Sequence, residues 1–128
     1  LIDAPCTGVG VWRRNPDAKW RVRPGALDQR MADQDRVLAR GARLVKPGGR
    51  IAYITCSLLA EENEDRVSAF LAGAPDFQPV DARESLALAP DALSERSDLV
   101  VGGGIGLLLT PLRTATDGFF LALLQREG

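Results

Sequence analysis

The sequence predicts an α/β fold, with parallel strands joined by helical crossovers and closed by an antiparallel strand. Three observations predict it. Apolar residues recur at helical spacing through Leu27, Met31, Leu38, Ala42 and Val45. The β-branched run from Ile51 to Ile54 follows directly on the stop Lys46-Pro47-Gly48-Gly49, the pattern of a strand buried on both faces. Strand and helix patterns then alternate along the chain, which favours parallel pairing with right-handed connections.

Taken in order, Leu1-Ile2 is the end of a buried strand, and a loop punctuated by Pro5, Gly8, Gly10, Pro16, Pro24 and Gly25 follows. The first helix runs from about Leu27 to Val45, and the second strand from Ile51 to Ile54. A second helix opens with Glu61, Glu62 and Glu64, acids that suit the positive end of a helix dipole, and turns Val67, Phe70 and Leu71 inward. Phe77 to Val80 is a further candidate strand. Residues 84–106 read as a loop that ends in the flexible Gly102-Gly103-Gly104, which lacks the strand and helix context of a phosphate loop. Ile105 to Thr110 and Gly118 to Leu124 then form closing strands around a turn at Thr114 to Asp117. No internal repeat or low-complexity tract interrupts this order.

With 128 residues the chain is at most one domain. No apolar stretch approaches the roughly 18 residues that a membrane helix needs. The net charge of -1 argues against a general polyanion binder. Its distribution is uneven, because residues 11–30 carry Arg13, Arg14, Lys19, Arg21, Arg23 and Arg30 against Asp17 and Asp28. A basic segment of this kind meets phosphates even in a neutral chain, although charged loops also occur with no partner. There is no histidine, which removes Ser-His-Asp and Cys-His hydrolysis from the chemistry this chain performs alone. Cys6 and Cys56 lie too far apart for a CxxC motif or a zinc site. No export signal is visible, so a cytoplasmic location with reduced thiols is expected.

Two segments stand out: Asp3-Ala4-Pro5-Cys6 and Thr55-Cys56-Ser57 each follow a buried strand. Open α/β sheets bind ligands at the carboxyl ends of their strands. If these two strands are neighbours, about 4.8 Å apart, both thiols and the Asp3 carboxylate converge on one pocket. Taken singly, a cysteine at a strand end is ordinarily a small buried hydrophobe, and Asp3 is able simply to cap a turn. Trp12 and Trp20, interleaved with Arg13, Arg14 and Lys19, serve either as base-stacking platforms or as packing residues.

Asp3-Ala4-Pro5-Cys6-Thr7-Gly8 resembles the DAPC(S/T)G motif of the Nop/Sun family of RNA cytosine-C5 methyltransferases. Arg13-Arg14-Asn15-Pro16-Asp17, Lys46-Pro47-Gly48-Gly49, Tyr53-Ile54-Thr55-Cys56-Ser57, Glu61-Glu62-Asn63 and Asp117-Gly118-Phe119-Phe120 are similar to further family segments, in family order. The resemblance implies the C-terminal half of a Rossmann-like class I methyltransferase sheet, with residues 1–128 as a partial catalytic domain. It implies S-adenosyl-L-methionine as cofactor and RNA, of the ribosomal type, as substrate. Cys56 inherits the role of nucleophile and Cys6 that of assisting release of the adduct. Asp3 is expected to meet both the cofactor and the target cytosine, and Arg13, Arg14 and Lys19 to meet RNA. The family's glycine-rich cofactor loop has no counterpart here and is expected upstream of Leu1. The chain alone is therefore expected to be inactive, and its unpaired sheet edge invites self-association. Two other classes fit the residues: a non-catalytic RNA-binding module, and a redox or structural domain with a Cys6–Cys56 disulfide.

Overall fold

A computed structural model describes residues 1–87 and 94–128. Strand β1 (Ile2–Asp3) leads through helix α1 (Ala26–Leu44) to strand β2 (Arg50–Thr55). The two strands pair in parallel, with Ile2 opposite Tyr53 and Asp3 opposite Ile54. This is the crossover that the apolar spacing predicts. Gly48, at a φ of 75°, makes the tight turn between α1 and β2, a conformation that favours glycine.

The later strands all join antiparallel. Strand β6 (Phe119–Arg126) is the hub of the sheet and pairs along its length with β2. On its other edge, β6 pairs at its N-terminal half with β5 (Gly106–Leu109) and at its C-terminal half with β3 (Phe77–Val80). Strand β4 (Val100–Val101) extends the sheet beyond β5. At the opposite end, β1 pairs with β2 alone among the described residues. No helix among them is long and apolar enough to cross a membrane.

Side-chain alternation divides the packing between the two faces of the sheet. Ile51, Tyr53, Phe120, Ala122 and Leu124 point to one face, where Leu38 of α1 and Val67 of helix α2 (Glu64–Gly73) close over them. The rings of Tyr53 and Phe120 meet edge to face, with centroids 6.3 Å apart. On β5, Leu108 joins this core, while Leu107 and Leu109 pack in a second, smaller cluster with Ala82, Leu86 and Leu99.

That smaller cluster explains why the stretch 84–106 is not simply a loop. Helix α3 (Ala82–Ala87), a 3-10 turn at Ser97–Leu99 and strand β4 all fall on it, because Leu86 and Leu99 must be buried. Residues 88–93 of the expected loop lie outside the described residues. Gly102, Gly103 and Gly104 have φ values of 60°, 69° and 115° and form the tight connection between β4 and β5. A second difference concerns the acids expected in one helical turn. Glu61 and Glu62 lie in a 3-10 turn (Ala60–Glu62) ahead of α2, and Glu62 is completely buried. A short helix α4 (Pro111–Thr114) fills the turn before β6.

Gly10 shows how tightly the loops at the carboxyl ends of β1 and β2 are joined. Its N–H donates to the Cys56 carbonyl at 2.9 Å, and its own carbonyl accepts from the Gly118 N–H at 2.8 Å. A Cβ at this position would sit 2.3 Å from the Gly118 oxygen and 2.7 Å from the Cys56 oxygen. Gly10→Ala is therefore expected to cost about 1–3 kcal/mol in thermal or chemical unfolding. Gly73→Ala, where a Cβ meets nothing within 4 Å, should leave stability unchanged or slightly raised.

Candidate active site at the carboxyl ends of two parallel strands

The parallel pairing of β1 with β2 sends both chains out of the sheet at the same end. Ala4 N–H still donates to the Ile54 carbonyl at 2.8 Å, so the strands separate only after Asp3 and Thr55. The two cysteines then meet, with their Sγ atoms 3.4 Å apart in a hydrogen bond between free thiols. Both are partly buried. Asp3 is exposed beside them and has no hydrogen bond or ion pair among the described residues.

The loops are held by a buried carboxylate that the sequence reading had assigned to a helix dipole. Glu62 Oε1 accepts from the Thr7 N–H at 2.8 Å and from Gln34 Nε2 at 3.1 Å. Glu62 Oε2 accepts from the Thr7 hydroxyl at 2.6 Å and from the Ser57 hydroxyl. Thr7 follows Cys6, and Ser57 follows Cys56, so one side chain positions both thiols. Gln34, buried in α1, also donates to the Pro5 carbonyl at 2.9 Å. Asn63 completes the Cys56 loop, accepting from the Thr55 hydroxyl at 2.6 Å and donating to the Ser57 carbonyl at 3.0 Å.

The contact between the thiols makes them unequal. The hydrogen bond from Cys6 stabilises the Cys56 thiolate and brings its pKa down to about 7. Burial and the Asp3 and Glu62 charges oppose that shift, and the Cys56 backbone N–H assists it. The same hydrogen bond, followed by burial, pushes the Cys6 thiol up. The pair thus gives up one proton near neutrality and keeps the other. A neighbouring helix contributes little, because α2 begins only at Glu64.

The structure distributes the basic loop residues unequally. Arg13 and Arg14 lie 3.6 Å and 2.6 Å from the Asp117 carboxylate, with 55% and 61% of their side chains exposed. Lys19 sits over the Trp20 ring, 4.8 Å from its centroid. None of the three lines the cavity of about 320 Å³ that Cys6 opens onto. Its basic lining comes instead from Arg21, Arg23 and Arg30. The sequence gave no means of choosing among six basic residues in one loop, since the 3-10 turn Pro16–Arg21 decides which ones face the thiols.

Solved structures share this architecture. The crystal structure of PH0851 aligns with a TM-score of 0.81 and 38% identity, covering 97% of this chain and 25% of that protein. NSun6 from Pyrococcus horikoshii, solved with SFG, aligns over 100% of the chain and 29% of its own length. Its TM-score of 0.72, at 22% identity, speaks for the fold. The fold is that of the Rossmann-like methyltransferases. A family model described as 16S rRNA methyltransferase RsmB/F matches residues 1–125, and the chain belongs to that family, within the Nop/Sun group. Ribosomal RNA small subunit methyltransferase B of Sodalis glossinidius is 39% identical over 127 residues, 99% of this chain and 25% of the relative. Its namesake from Thermus thermophilus is 34% identical over 126 residues, 98% of the chain and 28% of the relative. The chain thus spans about a quarter of the length of the curated relatives it matches.

The thiol asymmetry has a direct readout in alkylation by iodoacetamide, followed at Cys56 by peptide mass. The rate should rise with pH and reach half its maximum near pH 7, as the thiolate forms. Cys6→Ala removes the donor and should move the midpoint up towards the ordinary thiol value of 9.0. At pH 7 the thiolate fraction would then fall about fifty-fold. An unshifted midpoint in that variant would show that Cys6 does not set the ionisation of Cys56.

Proposed function

We propose that this chain carries the base-attacking part of an S-adenosyl-L-methionine-dependent ribosomal RNA cytosine-C5 methyltransferase, with Cys56 as nucleophile. The observation that supports this reading is the contact of two thiols at adjacent strand ends, one poised as a thiolate. Such a pair, on a methyltransferase fold, suits a reaction that needs both a nucleophile and a proton carrier. The relatives' names as ribosomal RNA small subunit methyltransferases support the RNA substrate.

Carbon-5 of cytosine is a poor nucleophile. Addition of the Cys56 thiolate to carbon-6 turns the ring into an enamine whose carbon-5 carries the electron pair. The cofactor, when bound, supplies the methyl group that carbon-5 takes. The proton on carbon-5 must then depart, and the electrons of that C–H bond expel the Cys56 thiolate. Cys6, protonated and in contact with Cys56, assists this release. Asp3 is free of other partners at the strand end, where a carboxylate suits the ammonium group of a methionine moiety and the amino edge of cytosine. Arg13, Arg14 and Lys19 are exposed basic groups of the same loop and offer phosphate contacts.

Covalent trapping tests the two cysteine roles in an enzyme of the relatives' length that carries this chain. RNA containing 5-azacytosine should form an adduct that survives denaturing electrophoresis, and Cys56→Ser should abolish it. Cys6→Ser should instead accumulate a stalled adduct with ordinary RNA. Equal trapping by both variants would overturn the assignment.

A further inference from the structure

Next to the thiol pair lie two cavities that share Thr7 and Val22. The first, of about 320 Å³, is lined by Cys6 together with Arg21, Arg23 and Arg30, and no acidic residue lines it. The second, of about 490 Å³, is almost wholly apolar and is lined by Val9, Trp12, Leu27, Leu58 and Leu59 beside the shared residues. Neither thiol lines the second cavity, so it is separate from the place where a target base meets Cys56.

We infer that these two cavities form a subsite for a nucleotide flanking the target cytosine. The base occupies the apolar hollow against Trp12, and the phosphate lies on the arginines. The inference rests on the RNA reading above and adds to it where a neighbouring nucleotide is held. Three features carry it. Arginine presents a planar fork of donors that matches phosphate. Arg23 has no ion-pair partner among the described residues, and the exposed pair of Arg21 with Asp17 is readily exchanged. The hollow falls within the size range of small-ligand pockets, roughly 300–1,000 Å³. Its aromatic wall, Trp12, has an indole N–H that is buried without a hydrogen-bond partner. An unstacked base supplies both a π-face for the ring and an acceptor for that N–H. A phosphate site continuous with an apolar hollow is the outline of a single nucleotide. An apolar protein segment would explain the hollow but not the cationic cavity joined to it.

The test uses the chain with Trp20→Phe, which leaves Trp12 as the single tryptophan of the two. Trp20 is 81% exposed and lines neither cavity. Two probes are titrated, a short single-stranded oligocytidine RNA and an abasic strand of the same length. Both should bind, measured by anisotropy, and only the strand with bases should quench Trp12 fluorescence. The combined variant Arg21→Gln, Arg23→Gln, Arg30→Gln, checked for retained fold by circular dichroism, should bind both strands more weakly. Its log–log salt slope should be smaller by about 2, given roughly 0.7 per phosphate contact on a single strand. Equal quenching by both strands, or quenching by neither, overturns the base site. An undiminished salt slope overturns the phosphate site. If RNA binds while these signals stay flat, the RNA reading stands and only the subsite falls. If neither strand binds, the RNA reading falls with it.

Discussion

The site depends on one buried carboxylate. Glu62 has no exposed surface, yet its oxygens accept from Thr7, Gln34 and Ser57, which belong to three separate parts of the chain. A charge is tolerated in such a place only when every direction of approach is filled by a donor. The loop after β1, the face of α1 and the loop after β2 must therefore arrive together. Their meeting fixes the two residues that precede Thr7 and Ser57, which are Cys6 and Cys56. Tyr53 reinforces the arrangement from the core, where its hydroxyl donates to the Glu62 carbonyl at 2.8 Å.

Once the thiols touch, their chemistry follows from the contact. A hydrogen bond between like groups favours a state in which one has lost its proton and the other has kept it. That division is useful in a reaction where a sulfur must first attack and later be expelled. The remaining order of the site comes from β6, which adds antiparallel beside β2 and begins with Gly118 against Gly10. The loop that carries Cys6 is thus clasped from both sides, by Glu62 through Thr7 and by β6 through Gly10. The open side of the loop, with Arg21, Arg23 and Arg30, faces away from this clasp towards solvent.

Much of the fold was legible in the residues. The helical spacing from Leu27 to Val45 and the stop at Gly48 reproduce α1 and its turn to within a residue. The strand at Ile51 was legible because alternating burial leaves Ile51, Tyr53 and Thr55 with no exposure to speak of. Pairing direction was less so, since an apolar run such as Phe119 to Leu124 reads alike in a parallel or an antiparallel neighbour. The second core around Leu86 and Leu99 was hidden because its apolar residues are sparse and set in an acidic stretch. At the site, the convergence of Cys6 and Cys56 could be inferred from two strand ends. Glu62 could not, because an acid just before a helix ordinarily faces water, and only three-dimensional packing shows donors surrounding it.

The central claim is that the fold itself holds Cys6 and Cys56 in contact before any substrate arrives. Oxidation of the native chain by diamide, followed by intact mass and peptide mapping, tests this most directly. The account predicts a Cys6–Cys56 disulfide that forms at least roughly tenfold faster in native buffer than in denaturant, because folding has already brought the sulfurs together. Two thiols that stay separate, or that join no faster in the folded chain than in the unfolded one, would contradict it.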